Sequence, residues 1–267
     1  MDHVLHDGSL CRGRDSFFGT GPAQPNWRQP SLAEGPLLNE EFCSSFVGSW
    51  PIPLRHSCTL GELALYFRAT RLPELKLEVV PCGGWDRRIS FFEACHPFIP
   101  TSPAIRDAET ALFYPGTGLL EGVMVSEGRG TKAPFRQAGA PWIDPEYWLQ
   151  SISGQALQGV GAVTVEFVPD WGLFQGEKCR GLRFHISNAS LFRPVLFGIE
   201  LVRQLLNCFG EKARPRYYHT VANPTGAKHL DLLLGIPDAY GLLKQGCLPE
   251  TNIEPWWSQA MRPFLLY

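Results

Sequence analysis

Apolar residues recur at helical spacing in five stretches of the chain. The clearest, residues 194–210, is amphipathic, begins at a proline and ends at a glycine, both common at helix boundaries. In residues 58–70, Thr59 or Cys58 precedes the first apolar position and Glu62 lies in the first turn, the spacing of a capping box. Both segments are therefore predicted to be helices.

Three shorter stretches follow the same logic. Residues 144–152 place Asp144 as an N-cap with Pro145 at the first helical position, where its missing N–H costs nothing. Residues 226–236 and 237–246 predict two further short helices near the end of the chain.

Alternation of apolar and polar residues, rich in β-branched side chains, predicts strands in residues 75–82, 162–169 and 181–187. Strands and helices follow one another without a regular repeat. This order indicates a mixed α/β (α+β) fold, with no regular parallel array.

Proline and glycine make the remaining segments loop-like, notably residues 1–40 and most of 83–105. A shift in composition near Pro100 suggests a domain boundary, so we expect an N-terminal domain in residues 1–99 and a C-terminal domain in residues 100–267.

The segment from Tyr114 to Trp142 differs from everything around it. It has no helical period, yet it contains six glycines together with Glu121, Glu127 and Arg129. Many polar groups on so flexible a backbone indicate a shaped loop, and loops of this kind often carry function.

Composition narrows the classes of function. The apolar fraction of 44% and the 19% of charged residues are typical of a globular protein. A net charge of −2 argues against nucleic acid as a partner. No apolar run is long enough to span a membrane, and no export signal is visible at the start. The eight cysteines are scattered without zinc-site spacing, so neither a metal nor a cofactor is expected.

Two acidic residues in one loop suggest a glycosidase pair, whose carboxyl groups lie roughly 5–5.5 Å apart in retaining enzymes and 6.5–9.5 Å in inverting ones. Glu121 and Glu127 are too far apart on a strand, about 20 Å, and point in different directions on a helix. A bend at Gly122 or Gly128 would be needed to bring them together.

Residues 126–131, SEGRGT, offer donors, acceptors and charge on a glycine-flanked backbone. Such a set suits a sugar, or an acidic substituent that faces Arg129. The alternative is an internal ion pair between Glu127 and Arg129 that only braces the loop. His56 is either a general acid or base or a hydrogen-bonded structural residue. Tryptophans that can stack on sugars or fill the core are Trp85, Trp142, Trp171, Trp256 and Trp257.

Four blocks of the sequence resemble one known family. Residues 45–64, 114–144, 179–188 and 229–235 are similar, in order, to the NamZ-type exo-β-N-acetylmuramidases, and the resemblance extends over Glu34–Tyr267. The resemblance implies a Rossmann-like N-terminal domain, here only partial, followed by a complete C-terminal α+β domain with a substrate cleft between them.

The resemblance also implies a function. Such an enzyme removes terminal N-acetylmuramic acid from the non-reducing end of peptidoglycan fragments, usually in the periplasm or outside the cell; without a visible signal, a cytoplasmic location stays open. By this resemblance Glu127 is the candidate catalytic residue. The candidate substrate-binding residues are Ser126, Arg129, Thr131, Glu121, Tyr114 and His56.

One departure from the family bears on activity. Family members carry a Pro-Glu-His-Gly-type motif, with the favoured catalytic carboxylate, in a longer upstream region, and these 267 residues contain no such motif. We therefore expect impaired hydrolysis by this chain alone. The alternative is a non-catalytic muropeptide-binding or structural remnant.

Overall fold

The computed structural model describes residues 3–6, 33–43, 47–83, 86–87, 98–152, 154–221 and 223–267. Most of the expected loop and aromatic patch at 83–105, including Trp85, lies outside these residues.

The described residues form seven helices and seven strands. The helices are α1 (Leu60–Thr70), α2 (Ala108–Thr117), α3 (Pro145–Ser151), α4 (Pro194–Phe209), α5 (His229–Leu234), α6 (Ala239–Lys244) and α7 (Glu254–Met261). The strands are β1 (His3–His6), β2 (Glu34–Leu37), β3 (Pro53–Arg55), β4 (Leu77–Val80), β5 (Gln137–Ala140), β6 (Val160–Phe167) and β7 (Cys179–Ile186).

The capping box predicted at α1 is present. The Thr59 side chain accepts a hydrogen bond from the Glu62 backbone N–H, and the Glu62 carboxylate accepts one from the Thr59 N–H at 2.9 Å. Because the two residues satisfy each other's backbone donors, the helix begins where the sequence predicted.

The other predicted helices are confirmed as well. Asp144 caps α3 by accepting from the Tyr147 N–H at 3.1 Å, with Pro145 in the first turn. Helix α4 begins at Pro194, and its apolar face is buried in the core. The two short helices near the C-terminus are α5 and α6.

The strands form one sheet of three strands and two smaller pairs. Strands β5, β7 and β6 lie antiparallel in that order, with β7 in the centre. Along β7 the side chain of Phe184 is buried and that of His185 is exposed, as strand alternation requires. Strands β2 and β3 pair antiparallel, and β1 and β4 pair parallel. The mixed α/β fold class is confirmed.

Two local predictions are wrong. The first forty residues are not all loop, since β1 and β2 lie there. The glycine-rich segment begins in helix α2, which continues through Pro115 to Thr117. Tertiary packing explains this helix: a Cβ on Gly116 would lie 1.7 Å from the Pro194 carbonyl oxygen, so only glycine lets α2 and α4 approach so closely.

Of three apolar clusters in the described residues, two organise most of the molecule. The larger one surrounds α4 and the three-stranded sheet. The second joins distant parts of the chain, because Trp257 and Met261 of α7 pack with Leu63 of α1 and with Ile52. Among the described residues, no helix is both long and apolar enough to cross a membrane.

Candidate functional site

The glycine-rich segment is folded by a sequence of sharp bends. Glu121 lies in a short 3-10 helix, Gly118–Gly122, that follows α2 directly. Ser126 then pairs through its backbone with Gly139 at 2.9 and 3.0 Å. Gly128 and Gly130 adopt positive φ angles of 79° and 75°, a conformation that favours glycine. The segment therefore turns back on itself.

The hydroxyl groups of Ser126 and Thr131 hold these bends in place. Ser126 Oγ accepts from the Gly128 N–H at 3.3 Å. Thr131 Oγ1 donates to the Gly128 carbonyl at 2.6 Å and accepts from the Gln137 amide at 3.0 Å. Both hydroxyls are thus engaged within the loop.

The bends bring the two predicted carboxylates to one guanidinium. Glu121 Oε1 accepts from Arg129 Nη2 at 2.6 Å and from Arg129 Nε at 3.0 Å. Glu127 Oε1 lies 3.2 Å from the same Nε. Because both oxygens contact one nitrogen, at 3.0 and 3.2 Å, they can be no more than about 6 Å apart. The chain between Glu121 and Glu127 is neither a straight strand nor an α-helix, the two geometries that would keep these carboxylates apart.

A second arginine, which the sequence analysis missed, completes the cluster. Arg216 Nη1 lies 3.2 Å from Glu127 Oε2, and its guanidinium carbon lies 4.9 Å from the centre of the Tyr218 ring. Both residues belong to the connection between α4 and α5. In the sequence, the role of Arg216 is indicated locally only by the two arginines and two tyrosines within residues 214–218. We call Glu121, Glu127, Arg129 and Arg216 the Glu–Arg cluster.

The two glutamates differ in their free hydrogen-bonding capacity. Both oxygens of Glu127 face an arginine, whereas Glu121 Oε2 accepts no hydrogen bond from any described residue. Burial raises the pKa of Glu121, and the negative charge of Glu127 adds to this, against the attraction of Arg129. Glu121 is therefore the carboxyl group better suited to hold and release a proton.

Tyr114 borders this cluster on the α2 side. Its ring packs edge-on against Phe135 at 4.8 Å, and the Arg129 guanidinium lies 4.9 Å from the centre of the same Phe135 ring. Burial, with the nearby charge of Glu121, raises the pKa of Tyr114 to about 12. At neutral pH its hydroxyl is a hydrogen-bond donor.

His56 lies in different surroundings from the other predicted residues. Its Nδ1 accepts from the Cys58 N–H at 3.1 Å, and its carbonyl oxygen accepts from the Trp257 indole at 2.7 Å. Burial, together with the charge of Arg55, lowers the pKa of His56 to about 4. These contacts belong to the second apolar cluster and make the structural interpretation of His56 the better supported one.

Neither a metal site nor the surface depression beside α3 competes with this cluster in the described residues. No group of three or more His, Cys, Asp or Glu side chains is arranged to hold a metal ion in the described ranges. A shallow depression of about 310 Å³ is lined by α3, β6 and Arg180, and it contains none of the predicted residues. The Glu–Arg cluster remains the chemically richer site.

Two models of one protein family match most of the chain. The family model described as "Exo-beta-N-acetylmuramidase NamZ, C-terminal" matches residues 112–267, and its N-terminal counterpart matches residues 23–109. This chain belongs to the NamZ exo-β-N-acetylmuramidase family. The matched C-terminal region contains the whole Glu–Arg cluster.

Individual relatives agree with this assignment. The peptidoglycan β-N-acetylmuramidase NamZ of Bacillus subtilis is 35% identical over 188 residues, which is 70% of this chain and 45% of that protein. The chain thus spans less than half the length of this relative.

Two crystal structures of DUF1343 family proteins from Bacteroides fragilis share the NamZ-like fold of this chain. One has a TM-score of 0.76 at 20% identity and covers 91% of this chain and 65% of its own. The other has a TM-score of 0.57 at 23% identity and covers 89% and 63%.

Proposed function

We propose that this chain is a peptidoglycan glycoside hydrolase of the exo-β-N-acetylmuramidase type, which releases terminal N-acetylmuramic acid from the non-reducing end of peptidoglycan fragments. The proposal includes muropeptides as partners, the cell wall outside the cytoplasm as the place of action, and domains at residues 1–99 and 100–267. Family membership supports the class of reaction. The observation that carries it to particular residues is the convergence of Glu121 and Glu127 on Arg129.

The Glu–Arg cluster has the parts that sugar cleavage requires. Glycosidases use two carboxyl groups a few ångströms apart, one of which protonates the leaving oxygen. Glu121, with a raised pKa and a free oxygen, is proposed as this acid: it donates its proton to the glycosidic oxygen as the C1–O bond breaks. The water that adds to C1 then returns a proton to the Glu121 carboxylate. The hypothesis that Glu127 is the catalytic carboxylate stays a prediction, although its oxygens are both engaged by arginines.

The arginines are proposed as binding groups. N-acetylmuramic acid carries a carboxylate, and a planar guanidinium can bind a carboxylate through two parallel hydrogen bonds. Arg129 exposes about a quarter of its side chain, 27%, and Arg216 16%, so both can reach a ligand. Ser126 and Thr131 support the loop that presents Arg129.

A second candidate, a non-catalytic muropeptide-binding protein, is favoured by one specific observation. The Glu127–Arg129 ion pair is formed, so the charge of Arg129 is already compensated without a ligand. A pair of this kind can brace a loop and present it for binding without any chemistry.

Incubation with a synthetic β-N-acetylmuramide tests the two candidates. We expect little release of N-acetylmuramic acid by this chain alone and clear release by a version extended with the upstream residues of the Bacillus subtilis relative. The Glu121→Gln variant of the extended version should lose this release. The shape-conserving Glu109→Gln, in a glutamate that pairs with Arg136 outside the cluster, is the control. Binding without release in both versions would favour the binding protein, and absence of both would refute both candidates.

A further inference from the structure

His229 is buried, and its side chain has no hydrogen-bond partner in the part of the chain that the structure describes. It is the first residue of α5, and its side chain belongs to a residue only 2% exposed. Neither Nδ1 nor Nε2 has a hydrogen-bond donor or acceptor among the described residues. Buried polar groups in folded proteins nearly always have a partner, so a ring with both nitrogens unsatisfied calls for an explanation.

Contacts connect His229 to the Glu–Arg cluster. Its ring stacks on Tyr218 with centroids 4.5 Å apart and planes 14° apart. Tyr218 in turn contacts the guanidinium of Arg216, which pairs with Glu127. His229 is thus two side chains away from a glutamate of the cluster.

The backbone of α5 lies against the turn that carries Glu121. A Cβ on Gly122 would meet the Cβ of Leu230 at 2.7 Å, which shows how closely the two segments approach. His229 precedes Leu230 in the chain, so it is connected to Glu127 through Tyr218 and Arg216 and lies next in the chain to the residue that packs against the Glu121 turn.

The chemistry of the ring restricts what can satisfy it. Burial, and then the positive charge of Arg216, lowers the pKa of His229 to about 4, so the imidazole is neutral at pH 7. A neutral imidazole offers one N–H donor and one acceptor nitrogen. The nearby charge of Arg216 disfavours a cation, whereas hydroxyl and acetamido groups supply the matching acceptor and donor.

We propose that His229 is a substrate-binding residue, whose imidazole hydrogen-bonds a hydroxyl or acetamido group of the bound amino sugar beside Arg216. This inference rests on the proposed function, since it takes the Glu–Arg cluster as the sugar site. Tyr218 acts as a positioning residue, because its stacking orients the imidazole.

The test measures the affinity for N-acetylmuramic acid, by calorimetry, together with the melting temperature. His229→Phe keeps an aromatic ring for stacking but removes both nitrogens. We expect at least a tenfold weaker affinity with an unchanged or higher melting temperature, because no intramolecular hydrogen bond is lost. His229→Gln retains a donor and an acceptor and should recover part of the affinity. His185→Phe, at an exposed histidine on β7, is the matched control and should bind like the wild type.

Each outcome is decisive. If the wild type binds the sugar and both His229→Phe and His229→Gln bind equally well, the inference is wrong while the proposed function stands. A lowered melting temperature without a change in affinity in the two variants would assign His229 to a structural role. If the wild type does not bind, the proposed function fails and the inference fails with it.

Discussion

The surroundings of His56 and of His229 differ in one instructive respect. Both histidines are buried, and in both burial lowers the pKa to about 4. The His56 ring accepts a backbone hydrogen bond from Cys58, whereas both nitrogens of the His229 ring lack a partner within the described ranges. Burial and an altered pKa therefore do not separate a structural histidine from a ligand-binding one, but unused hydrogen-bonding capacity does.

The buried glutamates show the same contrast. Glu62, six positions after His56 in the chain, accepts hydrogen bonds from the backbone N–H groups of Thr59 and Leu266 and pairs with Arg87. Among the described residues, the Glu121 carboxylate accepts hydrogen bonds from Arg129 alone, and its Oε2 accepts none. Glu62 joins segments of the chain, and Glu121 is left available for a ligand.

The largest expected effect is the loss of stability in Glu62→Ala. The change leaves Arg87 without its partner and two backbone donors unsatisfied, and breaking a buried ion pair typically costs about 3–5 kcal/mol. Denaturant unfolding should show this loss, while the folded fraction keeps its sugar affinity. Glu74→Ala, at an exposed glutamate in the same region, is the control. A loss of sugar affinity in the folded fraction would contradict the purely structural role of Glu62 and its contrast with Glu121.

The second effect concerns pH. Because the pKa of His56 falls from 6.5 to about 4 on folding, the unfolded chain binds more protons between these values. The contribution of His56 to the free energy of unfolding is present above pH 6.5 and is lost as the pH falls towards 4. The loss is about 3 kcal/mol at most. His229 contributes in the same direction, and the raised pKa of Glu121 opposes it above pH 4.5.

Thermal melts between pH 4 and 7 check this prediction. His56→Gln should flatten the profile with or without the sugar. His229→Phe should flatten it in the free protein, and the sugar should raise the melting temperature of this variant less than that of the wild type. If the sugar shifts the melting temperatures of the wild type and of His229→Phe equally, the assignment of His229 as the sugar-binding histidine is wrong.

The third effect is on ligand binding at the cluster. Glu127→Gln keeps the shape but removes the charge, and Arg129→Lys keeps the charge but loses the fork that holds Glu121 and Glu127. Both changes should weaken muropeptide binding by about 1–3 kcal/mol without unfolding the chain. Binding assays and melts on the same samples decide the matter, since unchanged binding with a lower melting temperature would mean that these residues only brace the loop.

The smallest effect is expected at Trp171. This residue is 52% exposed, and the loop that carries it packs against the backbone of Gly130, next to Arg129. Stacking of its indole on a sugar ring should contribute roughly 1 kcal/mol, so Trp171→Ala should weaken disaccharide binding several-fold in a titration. Trp256→Ala, with similar exposure on α7, should leave it unchanged. Equal losses in the two variants would point to a non-specific effect.

Local signals in the sequence were sufficient for much of the fold. The α1 capping box and the Asp144 cap of α3 depend on residues three positions apart, so the chain segment alone contains both partners. Helix α4 and strand β7 followed from their periodicity. Helix α2 did not, because its Pro115 and glycines disfavour a helix locally and its close packing on α4 outweighs them.

The candidate site divides in the same way. The sequence by itself determined that Glu121, Glu127 and Arg129 share one glycine-rich loop and that a bend was needed to join them. Only the tertiary structure decided that the bend exists, that Arg216 closes the cluster and that His56 is bonded elsewhere. It also decided that His229 is buried with no hydrogen-bond partner among the residues described. The physical reason is range: caps and periodicity act within a few residues, whereas Glu127 and Arg216, 89 positions apart, meet only after the core has packed.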